Sequence, residues 1–341
     1  MSCTRLAGAA LVAALSVGAA WAAAGPAAVD PVIIPLAGPA ATREAEISSL
    51  AWAGDTLVLL PEVPGRFARG DTLAVFALDG AAVRAWLDVG DRSAVLTPRR
   101  VPCFAPGLAD SVRGFDGLEA LAVAGARWYV AVEAKADSGM AGWLLAGTYD
   151  LQAGAARLDV ERRVPIPLGV NIFNVSDETL VVDGDRVLAL GEANGVNVQR
   201  GPVARAFTLD LEPAGALPLP NLEYRITDAT AVDAARRFWV IDYFYPPERR
   251  LMPPGPDAER TRFGVPDGLD TGGCIERLLE LAITADDAIV RTDTPPLWLV
   301  PQADGVCRNW EGLVRLDDRG FLLVTDKHPA TLLAFVPRQG R

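Results

Sequence analysis

Five stretches of this chain repeat one pattern, an acid, a short apolar run, a turn, a second apolar run and another acid. They are SSLAWAGDTLVLLPE (48–62), EALAVAGARWYVAVE (119–133), ETLVVDGDRVLALGE (178–192), DATAVDAARRFWVID (228–242) and EGLVRLDDRGFLLVTD (311–326). The paired end positions are Ser48/Glu62, Glu119/Glu133, Glu178/Glu192, Asp228/Asp242 and Glu311/Asp326, so nine of ten are acidic. With 43 acidic residues in 341, composition alone does not give that alignment. A repeat at such intervals constrains the fold more than any local propensity.

Each run is five or six residues rich in Val, Leu, Ile, Phe and Trp, which suits strands. Gly54-Asp55, Gly125-Ala126, Gly184-Asp185 and Asp318-Arg319-Gly320 supply turn chemistry between them. Each repeat therefore reads as a β-hairpin with both acids at one end. The repeats start at 48, 119, 178, 228 and 311, giving intervals of 71, 59, 50 and 83. Four-stranded propeller blades recur at about 40–50 residues, and loop insertions lengthen them. Further strands are expected at 71–78 with 82–88, 143–151 with 156–164, 202–211 with 215–219, and 275–283 with 288–300. The last repeat has only TLLAFVP (331–337) after it. PVIIPL (31–36) is expected to supply its fourth strand and close the ring. The fold class is all-β, a β-propeller of five counted repeats. A sixth blade within 89–118 or 243–274 stays open.

Residues 1–24 read as a signal peptide: Arg5, an apolar Leu6–Trp21 core, then Ala22-Ala23-Ala24. The alternative is an uncleaved anchor. No other stretch approaches 18 uninterrupted apolar residues, so no stable membrane insertion is expected after cleavage. Residues 25–341 then form one domain, expected to be a monomer that is periplasmic or secreted from a bacterium. The net charge of −11 repels phosphate backbones, which argues against nucleic acid as a partner. Cys103, Cys274 and Cys307 follow the leader. In an oxidising compartment two of them should pair. Cys274–Cys307 is the favoured bridge, with a pairing through Cys103 left open.

If the hairpins ring an axis, their acids crowd one rim. Crowded carboxylates repel unless a proton or cation neutralises them. An all-oxygen set without Cys or His suits a hard ion, and calcium accepts irregular shells of six to eight oxygens. The first acids of the repeats, Glu119, Glu178, Asp228 and Glu311, are the metal candidates. Glu46, two residues before Ser48 and on the same strand face, completes that set. The plain alternative is that strand-end acids are solvated turn residues. The chain has only two lysines, Lys135 and Lys327, and one histidine, His328, and all three follow second-position acids closely. Lys135 and Lys327 are candidates to grip an anionic substrate group, and His328 is a candidate acid or base. The long proline-rich segment Tyr243–Gly273 leaves the rim after Asp242. It reads as a lid or recognition loop whose Arg249 and Arg250 meet an anionic ligand, or else as a surface insertion.

The strings FDGLEALAV (115–123), CIERLLEL (274–281) and NWEGLVRLDDRGFLLVTDKHP (309–329) resemble the bacterial esterase-like phytase family, the phytase-like propeller proteins. The resemblance spans roughly 40–337. It implies a propeller, export, and hydrolysis of a phosphoester or another ester. By residue it carries over Glu119, Glu311 and Asp326 as catalytic candidates. The shortage of lysine and histidine departs from what phytate itself would require. Two functions follow: an exported, calcium-dependent hydrolase of a small anionic phosphate ester or other ester, or a non-catalytic periplasmic binding propeller with a structural calcium.

Overall fold

The computed structural model describes residues 25–338, apart from 90, 91, 138, 151, 272, 303 and 329. The leader expected over 1–24 lies outside the described residues.

Each repeat folds as an antiparallel hairpin. The pairs are Ile47–Ala53 with Thr56–Pro61, Phe115–Ala124 with Arg127–Ala136, Thr179–Asp183 with Arg186–Leu190, Arg225–Ala229 with Arg237–Phe244, and Trp310–Leu316 with Gly320–Thr325. Gly54, Gly125 and Gly184 turn the first three at φ of 61°, 61° and 63°, where a side chain would be strained. Two outer strands complete each blade: Leu73–Asp79 and Arg99–Phe104 in the first, Gly139–Asp150 and Ala155–Leu158 in the second, Val203–Thr208 and Pro213–Pro218 in the third. Ile275–Ile283 and Leu297–Leu299 serve the fourth. In the fifth, Leu333–Pro337 is followed by the N-terminal Val32–Ile34, with Ile33 facing Ala334. This is the expected closing strand.

The five innermost strands touch in succession, and Trp310–Leu316 returns to Ile47–Ala53, so the ring is closed with five blades. Among the described residues, neither irregular stretch holds a sixth blade. The segment 82–88, expected as a strand, belongs to the helix Gly80–Asp88. Asp79 caps it by accepting from Ala81 N, and Val83 and Trp86 bury one face three residues apart. Edges are covered: the outer strands of the first and second blades pair in parallel, with Ala156 opposite Cys103.

A separate apolar core fills each gap between blades. Leu118 and Val130 pack with Val58 and Val75 between the first and second. Tyr129 packs with Val187 between the second and third, and Leu188 with Val240 between the third and fourth. Ile241 packs with Trp310 between the fourth and fifth, and Val314 with Leu57 back to the first. This distribution lets a chain longer than one ordinary core remain a single unit.

The segment after Asp242 is tied down from beneath. Arg277, 1% exposed, donates to Asp242 at 2.7 Å and to both oxygens of Asp257 at 2.9 and 3.1 Å. Its guanidinium lies 5.3 Å from the Tyr224 ring and 5.1 Å from that of Trp298. Asp257 also caps the helix Ala258–Phe263, so one buried arginine anchors the insertion to the fourth blade. Cys274 and Cys307 form a disulfide with Cα atoms 5.8 Å apart, and Cys103 is a buried free thiol pushed up to about 12 by that burial.

Candidate functional site: a carboxylate-lined mouth

One irregularity recurs at the start of each hairpin. Ile47 faces Pro61, but Ser49 faces Leu60, which leaves Ser48 as an extra residue. The same slip isolates Glu119 in the second blade and Glu311 in the fifth. In the fourth it falls on Thr227 and Asp228. In the third, Glu192 N donates to Ser176 O while Thr179 faces Leu190, so Asp177 and Glu178 together oppose Gly191. A bulge bends its strand and re-aims the extra side chain. The aligned acids are thus the bulge residues of the innermost strands.

These residues meet in a cavity of about 300 Å³ at one end of the channel. Glu119, Glu178 and Glu311 line it from three bulges, and Glu62, Glu133 and Asp326 from three second positions. Glu248, Tyr243 and Tyr245 form the wall on the side of the insertion, and Asn174, Asn309, Lys327 and His328 complete the lip. Six of the ten aligned positions therefore converge.

The other four do not line the cavity. Ser48 is buried and donates to Leu118 O at 2.6 Å. Glu192 is paired with Arg225, and Asp242 with Arg277. Asp228, expected as a metal ligand on the rim, sits in the channel wall, where both its oxygens accept from backbone amides. The amides of Leu50, Ala229 and Leu313 hold it there. Glu46 is also outside the lining; it is bound by Arg66 and lies 3.6 Å from Lys327. Burial raises the Glu46 carboxyl, but those two cations outweigh it and hold the group below its usual range.

The expected anion grips fare unevenly. Lys327 is in the cavity, but three carboxylates take it: Glu46 and Asp326 at 3.6 Å and Glu62 at 3.9 Å. Lys135 lies outside, 2.6 Å from Asp116 and over the Phe173 ring. Arg249 and Arg250 are exposed and do not line the cavity; Arg249 rests over Phe244. From their segment it is Glu248 and Tyr245 that reach the site. His328 is exposed at the lip.

Sequence reasoning missed Arg225. It is 9% exposed, pairs with Glu178 at 3.1 Å and Glu248 at 3.2 Å, and its Nε contacts Glu192. The only signal was position, three residues ahead of Asp228. Arg308 stands equally far ahead of Glu311, yet turns to Asp304 at 2.7 Å. Spacing alone did not separate them.

Burial raises the cavity carboxyls, and their mutual repulsion adds to it. Glu62 is pushed up to about 8 by burial and by Glu46 and Asp326, against the pull of Lys327. Glu133 rises to about 7 and Glu178 to about 6, the latter held back by Arg225. Glu119 and Glu311 are well above the carboxylate range, and Asp326 is raised. A folded-state pKa above the unfolded one means the native state holds more protons between the two values, so stability falls as pH rises through them. For Glu62 and Glu133 that window runs from 4.5 to about 8. The ion-free protein should therefore lose on the order of a few kcal/mol between pH 5 and 8. Millimolar calcium should flatten the profile, as read by chemical denaturation at each pH. A flat profile without calcium would contradict this account of the mouth.

The donor chemistry fits a hard cation. Glu178 Oε2, Asp326 Oδ1, Asn309 Oδ1 and Glu248 Oε2 are buried oxygens without hydrogen-bond partners. Among the described residues no three His, Cys, Asp or Glu side chains are already gathered as for an ion, so side-chain rotation has to complete any shell.

The fold and site define a five-bladed β-propeller with an acidic channel mouth. No family model matches the chain, and no curated protein matches it. Solved structures resemble it in fold. An exo-1,5-α-L-arabinanase from a bovine ruminal metagenomic library is 9% identical with a TM-score of 0.45, covering 91% of this chain and 94% of that one. The soluble aldose sugar dehydrogenase of Escherichia coli is 10% identical with a TM-score of 0.46, covering 91% and 100%. A Bombyx mori β-fructofuranosidase is 9% identical with a TM-score of 0.49; this chain covers 62% of its length. At these values the likeness carries no argument about activity.

Proposed function

We propose that the chain is an exported β-propeller hydrolase acting on a phosphate ester or other ester of a small molecule, with calcium in its mouth. The observation supporting this is the convergence of six carboxylates, from four of the five blades, on one cavity where they raise each other's pKa. The three strings resembling esterase-like phytases, which include Glu119, Glu311 and Asp326, point the same way. These three side chains, with Asn309 Oδ1, would hold the ion. Once bound, such an ion polarises a phosphoryl or acyl oxygen and lowers the pKa of a water. Glu62 and Glu133, at about 8 and about 7, can hold or release a proton near neutral pH. Lys327 keeps Glu62 and Asp326 together, and His328 stands at the lip.

The test is hydrolysis of an aryl phosphate and an aryl acetate with and without calcium. One of them should turn over only with calcium, and Glu311→Gln should lower kcat by about a hundredfold or more without lowering Tm. Calcium-independent turnover that survives in Glu311→Gln would refute the assignment.

A second reading is a binding propeller in which calcium plugs the channel. It is favoured by one observation: Lys327 and Arg225, the permanent cations of the cavity, are each already held by three carboxylates. Its signature is a calcium-dependent rise in Tm with no turnover of either ester.

A further inference from the structure

The charge balance of the mouth says what kind of group a substrate must bring. Seven carboxylates line the cavity, against Arg225 and Lys327. Carboxyl groups thus outnumber the cationic side chains of the lining. No cationic side chain in the cavity is free to meet an anion, since Arg225 and Lys327 are both saturated.

On the insertion side, two carboxylates that Arg225 pairs through one oxygen each keep the other oxygen unpartnered. Glu178 is 7% exposed, and its Oε2 has no hydrogen-bond partner, while its Oε1 accepts from Arg225. Glu248 shows the same division: Oε1 accepts from Arg225 at 3.2 Å and Oε2 is unpartnered. Two buried acceptor oxygens therefore flank one arginine with nothing donating to them. The rings beside them differ. Tyr243 is buried and already carries Arg225 5.9 Å from its centroid, whereas Tyr245 is 43% exposed at the lip. Carboxylate acceptors beside an open aromatic ring are the surroundings an ammonium or guanidinium group takes up.

We propose that the ligand carries an organic cation, an ammonium or guanidinium group, that binds between Tyr245 and the free oxygens of Glu178 and Glu248. This rests on reading the mouth as the ligand site and sharpens the substrate class: an ester whose alcohol or acyl part bears a positive charge. The ester is then placed toward Glu119, Glu311 and Asp326, and the cation toward the insertion.

Calorimetric titration of the calcium-loaded full chain tests it, with n-butylammonium chloride as the probe and n-butanol as the neutral control of similar shape. Butylammonium should bind with a Kd on the order of millimolar, and butanol should give no saturable heat. Glu248→Gln and Tyr245→Ala should each weaken butylammonium roughly tenfold. Arg249→Gln, outside the cavity, should leave it within about twofold. Tyr245 is exposed, so its variant should keep the parent Tm and report binding alone. Butanol binding as tightly as butylammonium, or Glu248→Gln leaving the affinity unchanged, would overturn the proposal; so would inorganic phosphate binding the calcium-free protein. The readout needs no turnover, so failure to hydrolyse esters leaves it standing. An active calcium-dependent enzyme that ignores butylammonium sinks this inference only.

Discussion

Asp228→Ala is expected to lower the unfolding free energy by about 3–5 kcal/mol. Asp228 is 1% exposed, and its carboxylate is the meeting point of the inner ring. Oδ2 accepts from Leu313 N at 2.8 Å, Leu50 N at 3.3 Å and Ser49 Oγ at 3.2 Å, and Oδ1 accepts from Ala229 N at 2.8 Å. Ser49 Oγ in turn accepts from Leu121 N at 3.1 Å. One side chain therefore ties the innermost strands of the first, second, fourth and fifth blades. Alanine leaves three buried amides without an acceptor, and each such group costs about 1–3 kcal/mol. Burial pushes the Asp228 carboxyl well above its usual range, while these same donors pull it down. Asn keeps the shape but turns one oxygen into a donor facing other donors, so Asp228→Asn should lose more than half as much. Urea denaturation should show a lower midpoint at an unchanged slope. A loss below about 1 kcal/mol for Asp228→Ala would mean the ring is held by its interblade cores alone.

Asp228 also marks where the sequence stops being legible. The period of the repeat identified the hairpins, and the shortage of strands in the last one identified Val32–Ile34 as its partner, because an unpaired sheet edge is costly wherever it occurs. Both follow from one-dimensional pattern. The direction of a bulged side chain does not. Glu119, Glu178, Glu311 and Asp228 occupy equivalent places in the alignment, and the third bulge holds two residues just as the fourth does, yet Asp228 alone is taken by the amides of Leu50, Ala229 and Leu313. The donors around the carboxylate, which the register does not reveal, decide whether it faces the mouth or the wall. The helix Gly80–Asp88 replaced an expected strand for a similar reason: the Asp79 cap and the Val83/Trp86 spacing compete locally with an apolar run that reads either way. Two of the expected anion grips, Lys135 and Arg249, lie outside the cavity because long cationic side chains settle on the nearest carboxylate or aromatic face. Asp116 took Lys135, and the Phe244 face took Arg249. Such partners are distant in pattern and close only once the loops are placed.

Arg225→Met should be the most damaging single change at the mouth. It removes the guanidinium that faces Glu178, Glu192 and Glu248 and leaves Glu192, 0% exposed, as an uncompensated buried carboxylate. Breaking a buried pair in this way costs about 3–5 kcal/mol, far more than a surface bridge. If the loss is chiefly stranded charge, Arg225→Met with Glu192→Gln should recover at least half of it, because the amide needs no counter-ion. If packing dominates, the double variant should be no better than the single. The two outcomes also differ at the site. Glu248 reaches the cavity from the 3₁₀ turn Pro246–Arg250, and Arg225 is its only salt-bridge partner among the described residues. The insertion itself stays anchored through Arg277 and Asp257, neither of which lines the cavity. Calcium affinity should therefore survive in the double variant, through Glu119, Glu311 and Asp326, while butylammonium affinity is lost with the Glu248 wall. Simultaneous loss of both would mean that Arg225 organises the whole mouth and that the two halves of the cavity are not separable.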